Sequence, residues 1–241
     1  MKNSDEAIAP LATAYMPPVA FWVAAARMGQ AQEGAPLRLC QDERYHKQTY
    51  RNRTVILNAQ GEQRLSVPVS CPRGPHTKAE DVRICYDKDW QRDHWRSLCT
   101  AYNNSPYFLY YRDELEAILV QTRCERLWDL NWRLIVFFVK AFGLNWTVEA
   151  VSRREDENLR AADTRRTAVA VRAVDSQVQT ELESGILAFS DKTPQLWQRF
   201  APSVAPEDYR NTFMQAVACP ARLSSCDLLF NYGPQARTLF A

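Results

Sequence analysis

Hydrophobic and polar residues alternate over residues 64–69, which is the pattern of a β-strand with one buried face, and short apolar runs in the same part of the chain predict further strands. Leu65, Val67 and Val69, for example, are separated by Ser66 and Pro68. The proline indicates that this strand, or its end, lies at the edge of a sheet. The predicted strands cover residues 9–15, 37–40, 54–58, 63–67 and 82–86, and a helix is predicted over 19–28.

From about residue 89 the apolar residues recur at steps of three and four, the period of an α-helix with one buried face. Trp95, Leu98 and Tyr102 show this spacing. The predicted helices begin near residues 89 and 105 and cover 126–142, 207–216 and 226–231, and strands are predicted over 146–151 and 167–174. The dense mixed charge of residues 153–166 predicts a solvated helix or a linker.

These patterns predict an α+β fold for a single domain over residues 1–241, with an N-terminal mixed sheet region and a mainly helical C-terminal half. The sheet-rich part covers 9–86 and the helix-rich part covers 89–241. A chain of 241 residues is long enough for a substantial core. Its 46% hydrophobic and 24% charged residues are typical of a soluble globular protein.

The charge and the cysteines exclude several classes of function. A formal net charge of +2 is too small to favour nucleic acid or an anionic membrane as a partner. The N-terminus lacks a signal-peptide pattern, and the longest central apolar run is too short to span a bilayer. The seven cysteines form no CxxC pair and only three histidines are present. We therefore expect reduced thiols in a cytoplasm, no metal and no other cofactor.

The polar loop over residues 41–53 lies between two predicted strands and is rich in side chains that could bind or react with a ligand. A loop held between two strands is a favoured place for a functional site, because the strands fix the positions of its exposed side chains. Its candidate side chains are Asp42, Glu43, Lys47, Arg51 and Arg53. The two arginines have the fork geometry that suits a phosphate or carboxylate, and the lysine adds a compact positive charge. The two acids can orient these cations or act as a base. The alternative is that the acids and bases neutralise one another on the surface.

His94 is the best candidate for a general acid or base, because an imidazole changes its charge near neutral pH. It lies four residues after Trp90, so the two side chains share one face of the predicted helix. The competing interpretation is a core histidine with both ring nitrogens satisfied. We predict that the imidazole lines one concave surface together with the basic side chains of the loop, Lys47, Arg51 and Arg53.

An aromatic cluster follows in the same region, and its rings could stack on a nucleotide base or a sugar. The cluster consists of Tyr102, Tyr107, Phe108, Tyr110 and Tyr111. Packing between helices is the alternative. The sequence contains no GxGxxG, GxxxxGK(S/T), GxSxG or HExxH motif, so the common nucleotide-binding, hydrolase and zinc-protease signatures are absent.

Six sequence blocks occur in a defined order along the chain. They are Ala14-Tyr15-Met16-Pro17-Pro18, Tyr45-x-Lys47-x-x-x-Arg51-Asn52-Arg53, Leu65-Ser66-Val67-Pro68-Val69, Trp90-x-x-x-His94-Trp95, Ala101-Tyr102-x-x-Ser105-Pro106-Tyr107-Phe108, and Leu223-Ser224-x-x-Asp227-Leu228-Leu229-Phe230-Asn231-x-Gly233-Pro234. In this order the blocks resemble the WbqC-like family from about residue 12 to 235. Thr13 departs from the pattern, since many members of the family carry a glutamine there.

The resemblance implies a cytoplasmic bacterial protein associated with the biosynthesis of surface polysaccharide or O-antigen. It suggests an enzyme that transfers an acyl or aminoacyl group to the amine of a nucleotide-linked amino sugar. In that interpretation His94, Asp42 and Glu43 are catalytic. The anionic substrate, a nucleotide sugar or an acyl donor, is then held by Tyr15, Lys47, Arg51, Asn52, Arg53 and Tyr102.

Two other functions stay open at this point. The chain is either a non-catalytic module for an anionic ligand or a biosynthetic partner, or it contacts RNA such as tRNA through clustered arginines and aromatic rings. The near-neutral net charge and the lack of a known nucleic-acid motif count against RNA. We expect no membrane partner.

Overall fold

The structure of this chain is a computed structural model that describes residues 10–27, 36–152 and 220–240. Within these ranges the chain forms short strands and longer helices, which confirms the predicted α+β class. The strands are β1 (Pro36–Cys40), β2 (Arg53–Asn58), β3 (Gly61–Ser66), β4 (Val69–Ser70), β5 (Arg83–Ile84) and β6 (Thr147–Val151). The helices are α1 (Val19–Ala25), α2 (Trp90–Tyr102), α3 (Phe108–Glu116), α4 (Leu127–Ala141) and α5 (Ser225–Tyr232).

The described strands form three two-stranded ribbons instead of one mixed sheet. β2 and β3 are an antiparallel hairpin whose tight turn brings Asn58 opposite Gly61. Gly61 has a φ of 112°, a left-handed value that favours glycine. β4 pairs with β5 in antiparallel fashion, whereas β1 pairs in parallel with β6. A parallel pair needs a long crossover connection, and the segment that contains α2, α3 and α4 supplies it.

Helix α1 is the centre of the core, and all seven of its residues are buried. A helix that is apolar on every side needs partners all around it. Besides its neighbour Phe21, the indole of Trp22 contacts four aromatic rings outside α1, those of Phe138, Phe142, Trp146 and Phe240. Its ring nitrogen donates a 2.8 Å hydrogen bond to Ser225 Oγ. Helix α1 therefore ties α4, the segment after α4 and the C-terminal region into one core.

Helix α4 buries one face and leaves the other partly open. Leu130, Leu134 and Phe138 are fully buried in the core. Trp128 and Trp132 are half-buried and lie on a different side of the helix. These two tryptophans therefore do not belong to the face of α4 that packs into the core.

The described part of the predicted strand over 9–15, residues 10–15, does not form a strand. Leu11 makes a single parallel bridge with Leu39 of β1. Beyond it the chain turns, and Tyr15 N donates a 2.9 Å hydrogen bond to Tyr50 O in the 41–53 loop. The backbone of this segment thus bonds to β1 only at Leu11 and to the 41–53 loop at Tyr15.

The other elements predicted before residue 152 are present, with small shifts at their ends. The predictions for 153–166, 167–174 and 207–216 lie outside the described residues. Because of this gap, the division into a sheet-rich part over 9–86 and a helix-rich part over 89–241 stays a prediction.

Six of the seven cysteines lie in the described ranges, and all six carry free thiols, whereas Cys219 lies outside. The same ranges contain no group of three or more His, Cys, Asp or Glu side chains placed to hold a metal ion. None of the helices described has both the length and the apolar character needed to cross a bilayer.

Candidate functional site

The 41–53 loop is organised by a buried ion pair between Arg51 and Glu43. Arg51 Nε donates to Glu43 Oε1 at 3.0 Å, and Nη2 donates to Oε2 at 2.6 Å. The remaining guanidinium nitrogen, Nη1, donates to Thr49 Oγ1 at 3.2 Å. Arg51 is 3% exposed and Glu43 is 2% exposed. The arginine fork therefore points into the interior, which corrects the expectation that it lines an open concave surface.

Hydrogen bonds fix the second half of the loop against two other parts of the fold. Asn131 of α4 donates from Nδ2 to Arg51 O at 2.8 Å. Val67 N donates to Asn52 O at 2.8 Å, and Asn52 Nδ2 donates back to Val67 O at 2.9 Å. The Asn52 amide, predicted to bind substrate, thus has a structural partner at the end of the hairpin. These hydrogen bonds hold the second half of the loop in a fixed position relative to α4 and the hairpin.

Asp42, the second acid of the loop, links the ends of two paired strands. Its Oδ2 accepts a 2.9 Å hydrogen bond from Ser152 Oγ, just after β6. Its Oδ1 lies 3.5 Å from the thiol sulfur of Cys40, at the end of β1. The carboxylate is half-buried. Both acids predicted to be catalytic therefore have structural partners.

Three basic side chains of the loop, Arg44, His46 and Lys47, are exposed and together form what we call the cationic face. Arg44 Nη2 lies 3.2 Å from Nδ1 of His76 in a neighbouring loop. In the described ranges neither Arg44 nor Lys47 forms an ion pair with a carboxylate. Since Glu43 is withdrawn into the interior, the acids do not neutralise these two cations on the surface.

Burial is the main cause of the pKa shifts near the cationic face, and the positive charges add to one shift and oppose the other. Burial lowers the pKa of His46, and the charges of Arg51 and Arg44 lower it further. The pKa of the Cys71 thiol is raised by burial, while the charge of Lys47 acts in the opposite direction. A neutral imidazole and a protonated thiol thus lie beside fixed cations.

Arg53 borders the cationic face. It begins β2 opposite Ser66 and is half-buried. Burial raises the pKa of Tyr45 to about 12, against the lowering effect of the Arg51 and Arg53 charges. The charge of Arg53 therefore acts on the buried Tyr45, which lies between the exposed Arg44 and His46 along the loop.

His94 lies in an aromatic interior and not on the cationic face. It is 6% exposed, and its ring centroid lies 5.7 Å from that of Tyr15 and 5.1 Å from that of Trp90. Its Nδ1 lies 2.9 Å from the Tyr15 hydroxyl, and the imidazole also hydrogen-bonds the Ser66 carbonyl. Among the described residues, no hydrogen bond, ion pair or ring contact joins it to a basic side chain of the loop. The prediction that His94 lines one surface together with the basic side chains of the loop is therefore wrong.

The buried His94 is expected to make stability depend on pH. Burial lowers its pKa from 6.5 to about 4, so in the window between these values the unfolded chain binds a proton that the folded chain does not. Stability is lost as the pH falls through this window, by about 3 kcal/mol from this group. Urea unfolding of the wild type and of His94→Gln, each near pH 7 and near pH 4.5, measures this loss of stability. If both proteins lose the same stability between the two pH values, His94 is not its cause.

Tyr15 and Tyr102, predicted to bind substrate, are 0% and 1% exposed. The Tyr102 hydroxyl donates to Asp227 Oδ2 at 2.8 Å and accepts from Leu57 N at 3.2 Å, so it joins α2, α5 and β2. Burial raises the pKa of both phenols well above 10. Neither ring offers a face to a ligand, which corrects the prediction that both bind substrate and, for Tyr102, the prediction of stacking. Tyr110, at 80%, is the most exposed ring of the predicted cluster.

Sequence reasoning overlooked Arg44 and Asp227. Burial alternates along four residues of the loop, with Glu43 and Tyr45 inside and Arg44 and His46 outside. Glu43 and Arg44 are both charged, so the sequence shows no hydrophobic–polar alternation that separates the buried acid from the exposed bases. Asp227 had no sequence signal either, because its partner lies 125 positions away.

The fold and the site define an α+β protein that presents an exposed cationic face on a loop held by a buried ion pair. The chain belongs to the WbqC-like protein family, whose model matches residues 15–239. It is similar to the uncharacterized protein Rv1507c of Mycobacterium tuberculosis (strain ATCC 25618 / H37Rv), with 29% identity over 211 residues that cover 81% of this chain and 83% of the relative. No solved structure matches the chain.

Proposed function

We propose that this chain binds an anionic substrate, a nucleotide sugar or an activated acyl donor, as a protein of bacterial surface-polysaccharide biosynthesis. The observation that carries the proposal is the positive charge of Arg44 and Lys47, which no described carboxylate neutralises. Membership of the WbqC-like family supports the polysaccharide context.

The cationic face has the chemistry that a diphosphate needs. Arg44 supplies a planar fork that binds two phosphate oxygens at once, and Lys47 supplies a compact charge for a third. The Arg51–Glu43 pair beneath them holds the loop in place. A support that is ordered before binding reduces the entropy lost when the ligand binds.

We further propose that the bound amino sugar is acylated or aminoacylated on its amine, with His46 as the base. The amine nitrogen attacks the carbonyl carbon of an activated acyl donor, the new C–N bond forms, and the bond from carbon to the donor's leaving group breaks. His46 takes the proton that the nitrogen loses. Its lowered pKa supports this role, because the imidazole is neutral at physiological pH.

A non-catalytic binding module is the second candidate, and a separate observation favours it. The sequence-predicted catalytic side chains, His94, Glu43 and Asp42, all hydrogen-bond other parts of the protein. A module would use the same cationic face for an anionic ligand and would need no base.

Removing one cation is expected to weaken binding and leave the fold intact. We expect Lys47→Ala and Arg44→Ala each to bind UDP-glucosamine about ten- to a hundredfold more weakly, because each loses a charge-assisted contact. Their free energies of unfolding should change by no more than about 0.5 kcal/mol, since both side chains are exposed. Titration calorimetry and urea unfolding measure the two effects.

Lys88→Ala is the matched control, because Lys88 is exposed and lies outside the loop. The proposal fails if UDP-glucosamine shows no saturable binding, or if Lys47→Ala and Lys88→Ala bind it equally. Mass spectrometry of the sugar after incubation with acetyl coenzyme A or an aminoacyl-tRNA then separates the two candidates. The enzyme is supported if the wild type forms acylated sugar and His46→Gln binds the sugar but forms none. The module is supported if the wild type binds the sugar and forms no acylated product.

A further inference from the structure

A second site is indicated by a groove on the outer side of α4, which shares no lining residue with the 41–53 loop. The groove has a volume of about 850 Å³ and is open to solvent. Its walls come from α4, from β6 through Ala150, and from the turn that follows α3 through Ile118. A groove of this size accommodates a ligand of several rings.

Two tryptophans one helical turn apart form the floor of the groove. The ring centroids of Trp128 and Trp132 are 6.1 Å apart, and their planes are inclined by 31°. Both side chains are half-buried, and Val136 extends the apolar strip at 42% exposure. Residues at these spacings lie along one face of a helix, so the rings present a continuous strip along the groove.

The rim of the groove is charged but electrically balanced. It carries three acids and three bases, namely Glu114, Glu125, Asp129, Arg123, Arg133 and Lys140. Lys140 Nζ lies 3.1 Å from Glu114 Oε1, which joins α4 to α3. The carboxylate of Asp129 forms no hydrogen bond or ion pair within the described part of the chain. The rim therefore offers both hydrogen-bond donors and hydrogen-bond acceptors without a net charge.

The wall contributed by Ile118 is a π-helical turn, Ala117–Gln121. Gln91 of α2 donates from Nε2 to Leu119 O at 2.6 Å and to Thr122 O at 3.0 Å, and so fixes the carbonyl groups of this wall. Short π-helical segments occur frequently at functional sites. The wall is thus an unusual local conformation held by a specific contact from another helix.

We infer that this groove binds a neutral saccharide chain, with pyranose rings lying on Trp128 and Trp132. The face of an indole is electron-rich and attracts the weakly positive C–H groups of a sugar ring. Carboxylates and guanidinium groups along the rim accept from and donate to sugar hydroxyls. A nucleotide would gain nothing from a balanced rim, and an amphipathic helix would need a wider apolar face than this strip between charged residues.

The test is a titration of the full chain with three neutral oligosaccharides, cellohexaose, maltohexaose and chitohexaose. Binding is read from tryptophan fluorescence and from saturation-transfer NMR, which reports the sugar protons in contact with protein. We expect saturable binding of at least one oligosaccharide. Trp132→Ala should weaken it about tenfold, because a stacking face is lost.

Asp129→Asn provides a second variant, since its exposed side chain can be changed without disturbing the core. It is expected to weaken binding while leaving the urea midpoint unchanged. Leu109→Ala, an exposed apolar residue outside the groove, is the matched control and should bind like the wild type. Lys47→Ala should also bind like the wild type, so failure at the cationic face and failure at the groove remain distinguishable.

Two results overturn the inference. One is the absence of saturable binding of all three oligosaccharides. The other is a concentration-dependent dimer in sedimentation velocity that Trp132→Ala abolishes, which would make the groove an interface between two copies of the chain.

Discussion

Replacing Arg51 with methionine is expected to lower the free energy of unfolding by about 3–5 kcal/mol, because the Glu43 carboxylate is then buried without its partner. The structure shows why the effect is large. The guanidinium makes two hydrogen bonds to that carboxylate and one to Thr49, and both charged residues are almost fully buried. Urea unfolding near neutral pH measures the change.

The double variant Glu43→Leu/Arg51→Met separates a buried charge from lost packing. Replacing both members of a buried ion pair with apolar side chains is often neutral or stabilising, so the double variant should recover most of the stability lost by Arg51→Met. A double variant as unstable as the single one would contradict this account. If Arg51→Met instead folds normally and loses UDP-glucosamine binding, then Arg51 contacts the ligand directly.

Gly233→Ala is expected to destabilise the protein by about 2–6 kcal/mol, the sum of two unfavourable contributions. Gly233 follows α5 with a φ of 57°, a conformation that residues with a side chain rarely adopt. A Cβ atom at this position would lie 2.6 Å from two carbon atoms of the Tyr107 ring. The backbone strain and the steric overlap each cost about 1–3 kcal/mol. Urea unfolding again gives the value.

Gly143→Ala is a matched control for the backbone contribution. Gly143 has a φ of 66°, but an added Cβ would meet only Arg237 Nη1, at 3.9 Å. We therefore expect Gly143→Ala to cost about 1–3 kcal/mol, less than Gly233→Ala. In a Tyr107→Ala background the cost of Gly233→Ala should fall toward the same value. An unchanged cost in that background would show that the Tyr107 contact is unimportant.

Most local elements of the described regions could be predicted from the sequence, with the strand over 9–15 as an exception. The alternation around β2 and β3 and the three- and four-residue steps of α2 and α4 depend on which face of each element is buried, and that information lies in neighbouring positions. The 41–53 loop was also found from the sequence, because a dense cluster of basic residues between two strands is a local feature. Local patterns likewise predicted the α+β class.

Which side chains of the candidate site face solvent could not be predicted from the sequence, because it depends on contacts between distant parts of the chain. Glu43 and Arg51 look like surface charges in the sequence, but together they form a buried pair. His94 and Tyr102 look available for chemistry, yet the first hydrogen-bonds Tyr15, 79 positions away, and the second hydrogen-bonds Asp227, 125 positions away. Burial of a polar group is favourable only when a partner satisfies it. Since those partners come from distant parts of the chain, no local pattern could show whether these residues form a site or hold the fold together.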